Sequence, residues 1–370
     1  MADSMLDPEA VVLALDLGGT QIRTAAILPD GRPVGRRSAA TPTGSDPEAI
    51  YAIAADLLRA ARDGLPSEFG GRLAAIGISS MGPVDPWRGT VVDPPNVPAF
   101  RDAPLADEMA RRVGLPAWLD KDTNVAALAE KWLGAARGCD DFLYITVSTG
   151  LGGAIVRDGG LLHGPDGSAG ELGHVCLMPV DGPRCGCGGR GHLEAIASGS
   201  GLARQAEEAL ATGRLARATA WSLGWAGPED ASLAEPPTRV ASPFLSGRAS
   251  LGRITGRDVA EGEEAGDEVC RILMTRARRA FAIACVGWVN AFNPERIVVG
   301  GTVAANQGDR WFAPAREAIA RTAFSAPAAR VRIEPARLGA DVGLVGARPL
   351  VAERFGVAEW SASRPAGGSS

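Results

Sequence analysis

The chain has 370 residues, of which 46% are hydrophobic and 22% are charged, and its formal net charge is -5. This length is too great for one ordinary hydrophobic core and predicts two domains, while the composition is typical of a soluble globular protein. The negative charge without a basic stripe disfavours nucleic-acid binding, and no apolar run reaches the roughly 18 residues that a membrane-spanning helix needs.

The sequence opens with two predicted strands joined by a glycine turn. The apolar strand "VVLAL" leads to Asp16, a Gly-Gly-Thr turn follows, and the second strand ends before the turn signal Asp30-Gly31. Apolar residues at helical spacing predict a helix over 47–64. Beyond it, the sequence predicts a buried strand with a Gly-Pro turn over 72–92, a helix over 104–114 and a strand over 116–120.

The second half of the chain repeats this opening pattern. Residues 141–162, "DFLYITVSTGLGGAIVRDGGLL", again predict a strand, a glycine turn, a strand and a hairpin, which we interpret as a weak internal repeat. A long helix is predicted over 263–292, ahead of the strand "RIVVGG". Residues 213–250, rich in Pro, Gly and Ser, are predicted to be an irregular insertion, and the tail 357–370 to be disordered.

Three glycine turns, each after an apolar strand, are candidates for phosphate binding: 16–20, 148–153 and 300–302. Glycine lets the backbone approach closely, so that successive amides can point at phosphate oxygens. Each turn alone is better explained as a plain hairpin, but the three together favour a phosphate site. Asp16, at the end of a buried strand, needs a partner, and Mg²⁺ reached through water is a candidate. Neither of the two lysines lies in a GxxxxGK loop.

The stretch "WLDKDTNVAALAEKW" places Asp120, Lys121, Asp122, Thr123 and Asn124 between a strand and a helix. Asp, Thr and Asn are suited to capping the helix N-terminus. A carboxylate at a strand end is also suited to act as a general base in an interdomain cleft. The residues alone leave both interpretations open.

Residues 173–194, "GHVCLMPVDGPRCGCGGRGHLE", hold two of the three histidines and three of the six cysteines. Clustered cysteines in a chain of this length are typical of metal ligands accompanied by reduced thiols, which predicts a cytoplasmic protein.

Over about residues 11–350 these motifs resemble those of the ROK family, the bacterial sugar kinases and related repressors of the actin-like ATPase superfamily. "DLGGTQIRTAAI" and "TVSTGLGGAIV" are similar to its two phosphate motifs, and "DTNVAALAE" to the start of its catalytic-aspartate helix. "GISSMGPVDPWRGTVVDPPNVP", "NPERIVVGGTVA" and "LGADVGLVGA" are similar to the stretch after its third strand, its adenosine-side motif and its C-terminal glycine helix. "GELGHVCLMPVDGPRCGCGGRGHLE" matches its pattern E-x-G-H then C-x-C-G-x-x-G-C-x-E, with one departure.

The resemblance implies an α/β, two-lobed actin-like ATPase (ribonuclease H-like) fold with an interdomain cleft. We expect an N-terminal lobe over 1–118, a C-terminal lobe over 119–336, and a helix over 337–356 that returns to the N-terminal lobe. By analogy the protein is expected to be a homo-oligomer, a dimer or a tetramer, without nucleic-acid or membrane partners. ROK repressors carry a helix-turn-helix domain ahead of this body, whereas the first motif begins about ten residues into this chain.

The resemblance implies a Zn²⁺ knuckle over 174–192 that shapes a sugar pocket. Its ligands by position are His174, Cys185, Cys187 and His192, where His192 replaces the family's third cysteine. Of the remaining cysteines, Cys176 is expected to be a packed thiol, and Cys139, Cys270 and Cys285 to be structural. His163 matches no family position and is expected to be a surface hairpin residue.

The implied reaction uses ATP with Mg²⁺ near Asp16, and Asp122 accepts the proton of the attacking sugar hydroxyl. The residues expected to bind nucleotide are Asp16, Gly18, Gly19, Thr20, Thr149, Gly150, Gly300 and Gly301. The residues expected to bind sugar are Gly82, Asn96, Lys121, Asp122, Glu171, His174 and Glu194.

Lys121 departs from the asparagine that family kinases carry before the catalytic aspartate. A protonated lysine only donates hydrogen bonds, whereas asparagine also accepts them, so an acceptor with a negative group is one interpretation if Lys121 faces the pocket. The other is that Lys121 points to solvent. Glucose is the expected substrate; N-acetylmannosamine, mannose, fructose or a sugar acid, polyphosphate as donor, and a non-catalytic sugar-binding protein are alternatives.

Overall fold

The computed structural model describes residues 6–42, 44, 46–94, 97–215 and 241–354. The predicted sugar contact Asn96, the predicted tail 357–370 and residues 216–240 of the predicted insertion lie outside this part of the chain. Within it, no helix combines the length and hydrophobicity needed to cross a bilayer.

The strands form two five-stranded sheets and one two-stranded ribbon. They are β1 (Val11–Leu17), β2 (Gln21–Ile27), β3 (Pro33–Ala40), β4 (Leu73–Ser80), β5 (Val84–Asp85), β6 (Thr90–Val91), β7 (Ala117–Lys121), β8 (Phe142–Val147), β9 (Leu151–Arg157), β10 (Gly160–Leu161), β11 (Arg296–Gly300) and β12 (Arg332–Pro335). The first sheet has the order β3-β2-β1-β4-β7, the second has the order β10-β9-β8-β11-β12, and β5 pairs with β6.

Both sheets follow the same chain order, in which the third, second, first, fourth and fifth strands of each set are neighbours. In the first sheet β1 is antiparallel to β2 and parallel to β4, and β4 is parallel to β7. The predicted internal repeat is confirmed by this shared order. The expected α/β class of the actin-like ATPases is confirmed by two mixed five-stranded sheets with helices between their strands.

The helices include those that the sequence predicts, with two exceptions, and others over 193–212, 256–264 and 302–330 that it did not predict. They are α1 (Pro47–Asp63), α2 (Leu105–Val113), α3 (Asp122–Leu133), α4 (Leu193–Ala197), α5 (Gly199–Thr212), α6 (Pro243–Ala249), α7 (Gly256–Glu264), α8 (Glu268–Phe292), α9 (Thr302–Gln307), α10 (Asp309–Thr322), α11 (Ser325–Arg330), α12 (Val342–Val345) and α13 (Ala347–Arg354). Short 3-10 turns include Ser67–Arg72 and Leu172–His174.

The two exceptions are explained by N-caps that the sequence reading missed. The long helix begins at Glu268 instead of 263, because the Asp267 carboxylate accepts the amide of Cys270 at 3.1 Å and starts a new helix. The prediction of irregular structure over 213–250 is wrong near its end, where the Ser242 side chain accepts the amide of Leu245 at 3.0 Å and caps α6. Proline at the first helical position favours this start.

The described chain divides into two compact units, each of which is considered by itself. Unit 1 consists of the described residues within 1–144, 154–170 and 336–370, and unit 2 of those within 145–153 and 171–335. The predicted lobe boundaries stay a prediction.

In unit 1, successive residues of β1 face two different cores. Leu13 and Leu15 belong to a cluster with residues of α1 and α2, whereas Val12 and Ala14 belong to a cluster with residues of α12 and α13. Because side chains alternate along a strand, a strand covered on both faces is apolar at nearly every position, which explains the unbroken run "VVLAL".

Glycines let the C-terminal helices lie directly on this sheet. A Cβ on Gly77 of β4 would stand 2.3 Å from the carbonyl oxygen of Ala347, and one on Gly343 of α12 would stand 2.8 Å from Asp16 Oδ1. The close approach of α12 leaves Asp16 only 13% of its side-chain surface exposed.

Candidate functional site

Four side chains of unit 2 converge at the predicted metal knuckle. One donor atom from each of His174, Cys185, Cys187 and His192 can be chosen so that all four lie within 4.8 Å of one another. His174 Nδ1 lies 3.4 Å from His192 Nδ1 and 3.7 Å from Cys185 Sγ, and Cys187 Sγ lies 3.3 Å from His192 Nδ1.

These separations fit a tetrahedral zinc ion. Bonds of about 2.3 Å to sulfur and about 2.0 Å to nitrogen at tetrahedral angles separate two nitrogens by about 3.3 Å, and a sulfur from a nitrogen by about 3.5 Å. Burial raises the pKa of the Cys185 thiol to about 12, so a thiolate there needs a cation beside it. The donor set and its burial therefore suit Zn²⁺.

The knuckle folds this way because glycine occupies its crowded positions. Gly191 has φ +68°, and a Cβ there would stand 1.8 Å from the carbonyl oxygen of Met178. Cys176 lies outside the donor set and is exposed, with its thiol 3.4 Å from the Arg190 carbonyl, so its prediction as a packed thiol is wrong. The other three cysteines, Cys139, Cys270 and Cys285, are buried as predicted.

Two glutamates flank the knuckle. Glu171 Oε2 lies 3.7 Å from His174 Nε2, the ring nitrogen opposite the metal-facing Nδ1. Glu194 reaches two elements: its Oε1 lies 3.5 Å from Cys185 Sγ, and its Oε2 accepts the amide of Leu151 at 3.1 Å. Glu194 therefore joins the metal cluster to the glycine turn between β8 and β9.

A cavity of about 780 Å³ lies in unit 2 beside this turn, and three helices begin at it. Its lining includes the first residues of α5, α7 and α9, namely Gly199, Ser200, Gly256, Arg257, Thr302 and Val303. The turn residues Ser148 and Thr149 also line it, and Ser148 Oγ lies 3.1 Å from Thr302 Oγ1. Helix N-termini carry partial positive charge, so the cavity suits an anionic ligand.

Two of the three predicted glycine turns thus meet at this cavity. Gly301, with φ +90°, lies where a Cβ would stand 2.3 Å from the carbonyl oxygen of Val147, so only glycine lets the start of α9 approach the end of β8.

The third predicted turn, 16–20, belongs to unit 1. The Gly18 amide donates to the Gln21 carbonyl at 3.0 Å and so closes the turn, and the nucleotide contact at Gly18 stays a prediction. Thr20 is exposed and Gly19 is partly exposed.

Asp16 has protein partners that the sequence reading overlooked. Strand register places Arg23 opposite it on β2 and Ser79 opposite it on β4. Arg23 forms an ion pair with Oδ2, and Ser79 Oγ donates to Oδ1 at 3.0 Å. The burial of this carboxylate therefore does not require a metal, and a magnesium ion reached through water stays a prediction.

Asp122 is the first residue of α3 and is exposed, while its neighbours are buried. The N-cap residue is Lys121, whose side chain makes no capping bond, but Asp122 Oδ1 accepts the first-turn amide of Thr123 at 2.7 Å, so the capping interpretation of this stretch stays open. Lys121 is only 5% exposed and lies 3.5 Å from the Ala169 carbonyl through Nζ, which excludes the interpretation that it points to solvent. A Cβ on Gly82 would stand 3.4 Å from the Lys121 stem.

Comparison with known proteins identifies the family. The ROK family model matches residues 12–354. The chain belongs to the ROK family.

Several ROK relatives cover nearly the whole chain. The glucokinase of Thermotoga maritima is 31% identical over 349 residues, which are 94% of this chain and 99% of that protein. The structure of a ROK glucokinase from Streptomyces griseus in complex with glucose and AMPPNP is 32% identical, covers 91% of this chain and 98% of its own, and superposes with a TM-score of 0.68. The N-acetylmannosamine kinase of Escherichia fergusonii is 38% identical over 199 residues, 54% of this chain and 65% of that protein.

One further pair in unit 1, formed by His163 and Asp120, lies outside the ROK motifs. His163 Nε2 lies 2.7 Å from Asp120 Oδ2, and only 18% of the His163 side chain is exposed, so its prediction as a surface hairpin residue is wrong. No local pattern in the sequence pointed to this pair, because the two residues are 43 positions apart.

Proposed function

We propose that this protein transfers the γ-phosphoryl group of ATP to a hydroxyl of a hexose, with the 6-hydroxyl of glucose as acceptor. The observation that carries the proposal is the full-length similarity to glucokinases, one of which has been solved with glucose and an ATP analogue. The geometry of the metal knuckle, the cavity and the strand end supports it.

The cavity of unit 2 is the proposed nucleotide site. Three helix N-termini and the side chains of Arg253 and Arg257 give it a positive potential that suits phosphates. Thr149 lies exposed in its wall and can donate a hydroxyl hydrogen bond. The predicted nucleotide contacts at Gly150, Gly300 and Gly301 belong to the two turns that meet there.

Asp122 is the proposed general base. Its carboxylate is exposed at the start of α3, at the carboxyl end of a buried strand, so a substrate hydroxyl can reach it. In the reaction the sugar oxygen forms a bond to the γ-phosphorus, the bond from that phosphorus to the β,γ-bridging oxygen breaks, and the sugar proton passes to Asp122. ADP and a sugar phosphate are the products.

Two metals have separate proposed roles. Zn²⁺ held by the His₂Cys₂ set would hold the knuckle in shape, and Glu171, His174 and Glu194 would then face sugar hydroxyls as acceptors and donors. Mg²⁺ would neutralise phosphate charge as in other phosphoryl transfers.

A second acceptor is favoured by two observations. The N-acetylmannosamine kinase relative is the more identical one over the segment that it covers, and the buried Lys121 replaces the family's asparagine at an expected sugar contact. An N-acetyl or carboxylate oxygen on the sugar is a suitable acceptor for a hydrogen bond from the Lys121 ammonium group.

The experiment is ADP release with ATP and Mg²⁺ over a sugar panel: glucose, mannose, fructose, N-acetylmannosamine and glucuronate. We expect glucose to give the highest kcat/KM. A higher kcat/KM for N-acetylmannosamine or glucuronate would make that sugar the proposed acceptor instead of glucose. Sugar binding without ADP release for every sugar of the panel would overturn the kinase assignment.

A further inference from the structure

Asp120, the residue before Lys121 in β7, is a carboxylate with 1% of its side chain exposed. Its Oδ1 accepts the amide of Lys121 and the side-chain amide of Asn124, each at 2.7 Å. Its Oδ2 faces His163 Nε2 at 2.7 Å. A carboxylate this buried is costly unless donors surround it, so these three bonds form one connected group.

His163 ties this group to a loop, which we call loop 163–169. The amide of Ala169 donates to the His163 carbonyl at 2.9 Å and closes the loop, and the carbonyl of Ala169 lies 3.5 Å from Lys121 Nζ. The His163 ring packs against Trp87, with centroids 5.8 Å apart. The loop is therefore attached to the end of β7 at two points, through His163 and through Lys121.

Asp120 also determines the start of α3. The N-cap residue Lys121 makes no side-chain cap, but its backbone amide is held by Asp120 Oδ1. The same oxygen holds Asn124 in the first turn of the helix. Asp122 lies between these two anchors, so its position depends on the orientation of the Asp120 carboxylate.

We propose that His163 and Asp120 are a positioning pair for the proposed base. The Nε2–H of His163 fixes the Asp120 carboxylate, which in turn fixes the turn that carries Asp122, while the same histidine holds loop 163–169 against that turn. The inference rests on the proposed function only for the role of Asp122. Neither residue of the pair is proposed to touch substrate.

The test compares two substitutions at one position. H163F keeps an aromatic ring against Trp87 and removes the donor, whereas H163Q keeps an N–H donor at about the reach of Nε2. Because a displacement of about 1 Å can cost about 100-fold in rate, we expect H163F to lower kcat by about 10- to 100-fold with an unchanged KM for ATP. H163Q should stay within about 3-fold of wild type.

Hydrogen–deuterium exchange without substrates supplies a readout that does not depend on catalysis. H163F should raise exchange in peptides covering 118–125 and 160–170, and H163Q should raise it little. Exchange in α8 serves as the internal control and should not change. If H163F fails to fold, D120N makes the same comparison, since it keeps the size of the side chain and removes the acceptor charge.

In the double variant D120N/H163F we expect no further loss beyond the slower single variant, because both substitutions break one interaction. Any of three results would overturn the proposed positioning pair. These are additive losses of kcat in the double variant, equal losses of kcat in H163F and H163Q, or unchanged hydrogen–deuterium exchange in H163F. A wild type that phosphorylates no sugar would overturn the proposed function, and the exchange measurement would still decide on the pair.

Discussion

The two five-stranded sheets share one strand order but carry different polar groups where their first strands end. At the end of β1, Asp16 is an anion held by Arg23 and Ser79. At the end of β8, Ser148 is neutral, contacts Thr302, and borders a cavity of about 780 Å³ where three helices begin. Chain topology therefore places a turn at each strand end, and the side chains give the two turns different charges.

The largest expected effect concerns the metal knuckle, which lies beside the turn at the end of β8. Cys187→Ser should abolish zinc binding and forfeit binding free energy on the order of 10 kcal/mol, because one of four donors is lost. Cys176→Ser is the matched control, since Cys176 is the other exposed cysteine and lies outside the donor set.

Zinc per chain, measured by elemental analysis with a thermal melt alongside, should fall from about one to near zero in the first variant only. Equal zinc contents in the two variants would refute the assigned donor set.

The second prediction concerns unit 1, where Asp122→Asn tests the proposed general base. Removing a general base lowers turnover by about 100- to 10,000-fold, while the isosteric amide leaves sugar binding largely intact. Steady-state kinetics and isothermal titration with glucose measure the two effects. Turnover close to that of wild type would remove Asp122 from this role.

Two glycines with positive φ differ in ψ and in what a Cβ would meet, since Gly301 has ψ 153° whereas Gly114 has ψ 25° in the left-handed helical region. Gly301→Ala should lower the free energy of unfolding by about 3 kcal/mol, because its φ of +90° is strained for alanine and its Cβ would also stand 2.3 Å from the Val147 carbonyl oxygen. Gly114→Ala, at φ +80° with nothing within 4 Å of its Cβ, should cost only about 1 kcal/mol.

Urea denaturation of both alanine variants provides the measurement. Equal losses would mean that neither the contact with β8 nor the extended ψ of Gly301 adds to the cost of a positive φ.

The smallest effect is a pH dependence in unit 1. Burial, with a further contribution from Asp120, raises the pKa of Glu353 from 4.5 to about 7, although His163, Arg354 and Lys131 oppose the rise. The folded protein therefore holds this proton where the unfolded chain has released it. The stability that Glu353 contributes is full below pH 4.5 and is lost as the pH rises through about 7.

Glu353→Gln cannot lose that proton. Its stability relative to wild type should rise between pH 5 and pH 8 by roughly 2 kcal/mol. Glu317→Gln, in an exposed pair with Arg321, is the control and should change by less than about 0.5 kcal/mol. A difference that does not vary with pH would contradict the raised pKa of Glu353.

Local patterns in the sequence predicted the features that depend on local interactions. Apolar runs and helical spacing placed most strands and the helices α1, α2 and α8, and the metal donors were recognisable because all four lie within residues 174–192. The Arg23 partner of Asp16 could have been inferred from hairpin register, since Arg23 lies directly opposite on the next strand.

Long-range contacts were not predictable in the same way. His163 and Asp120 are 43 residues apart, and their bond exists only because loop 163–169 returns to the end of β7. Neither residue has a sequence pattern that encodes the other. Likewise, the burial of Lys121 follows from that loop and from the close passage of Gly82, which no local spacing reveals.

The most direct test is ³¹P nuclear magnetic resonance of the wild-type protein incubated with ATP, Mg²⁺ and glucose. The proposed reaction predicts a sugar phosphate monoester signal that grows in step with ADP and disappears when glucose is omitted. Inorganic phosphate growing in step with ADP, or no change in ATP, would contradict phosphoryl transfer to a hexose.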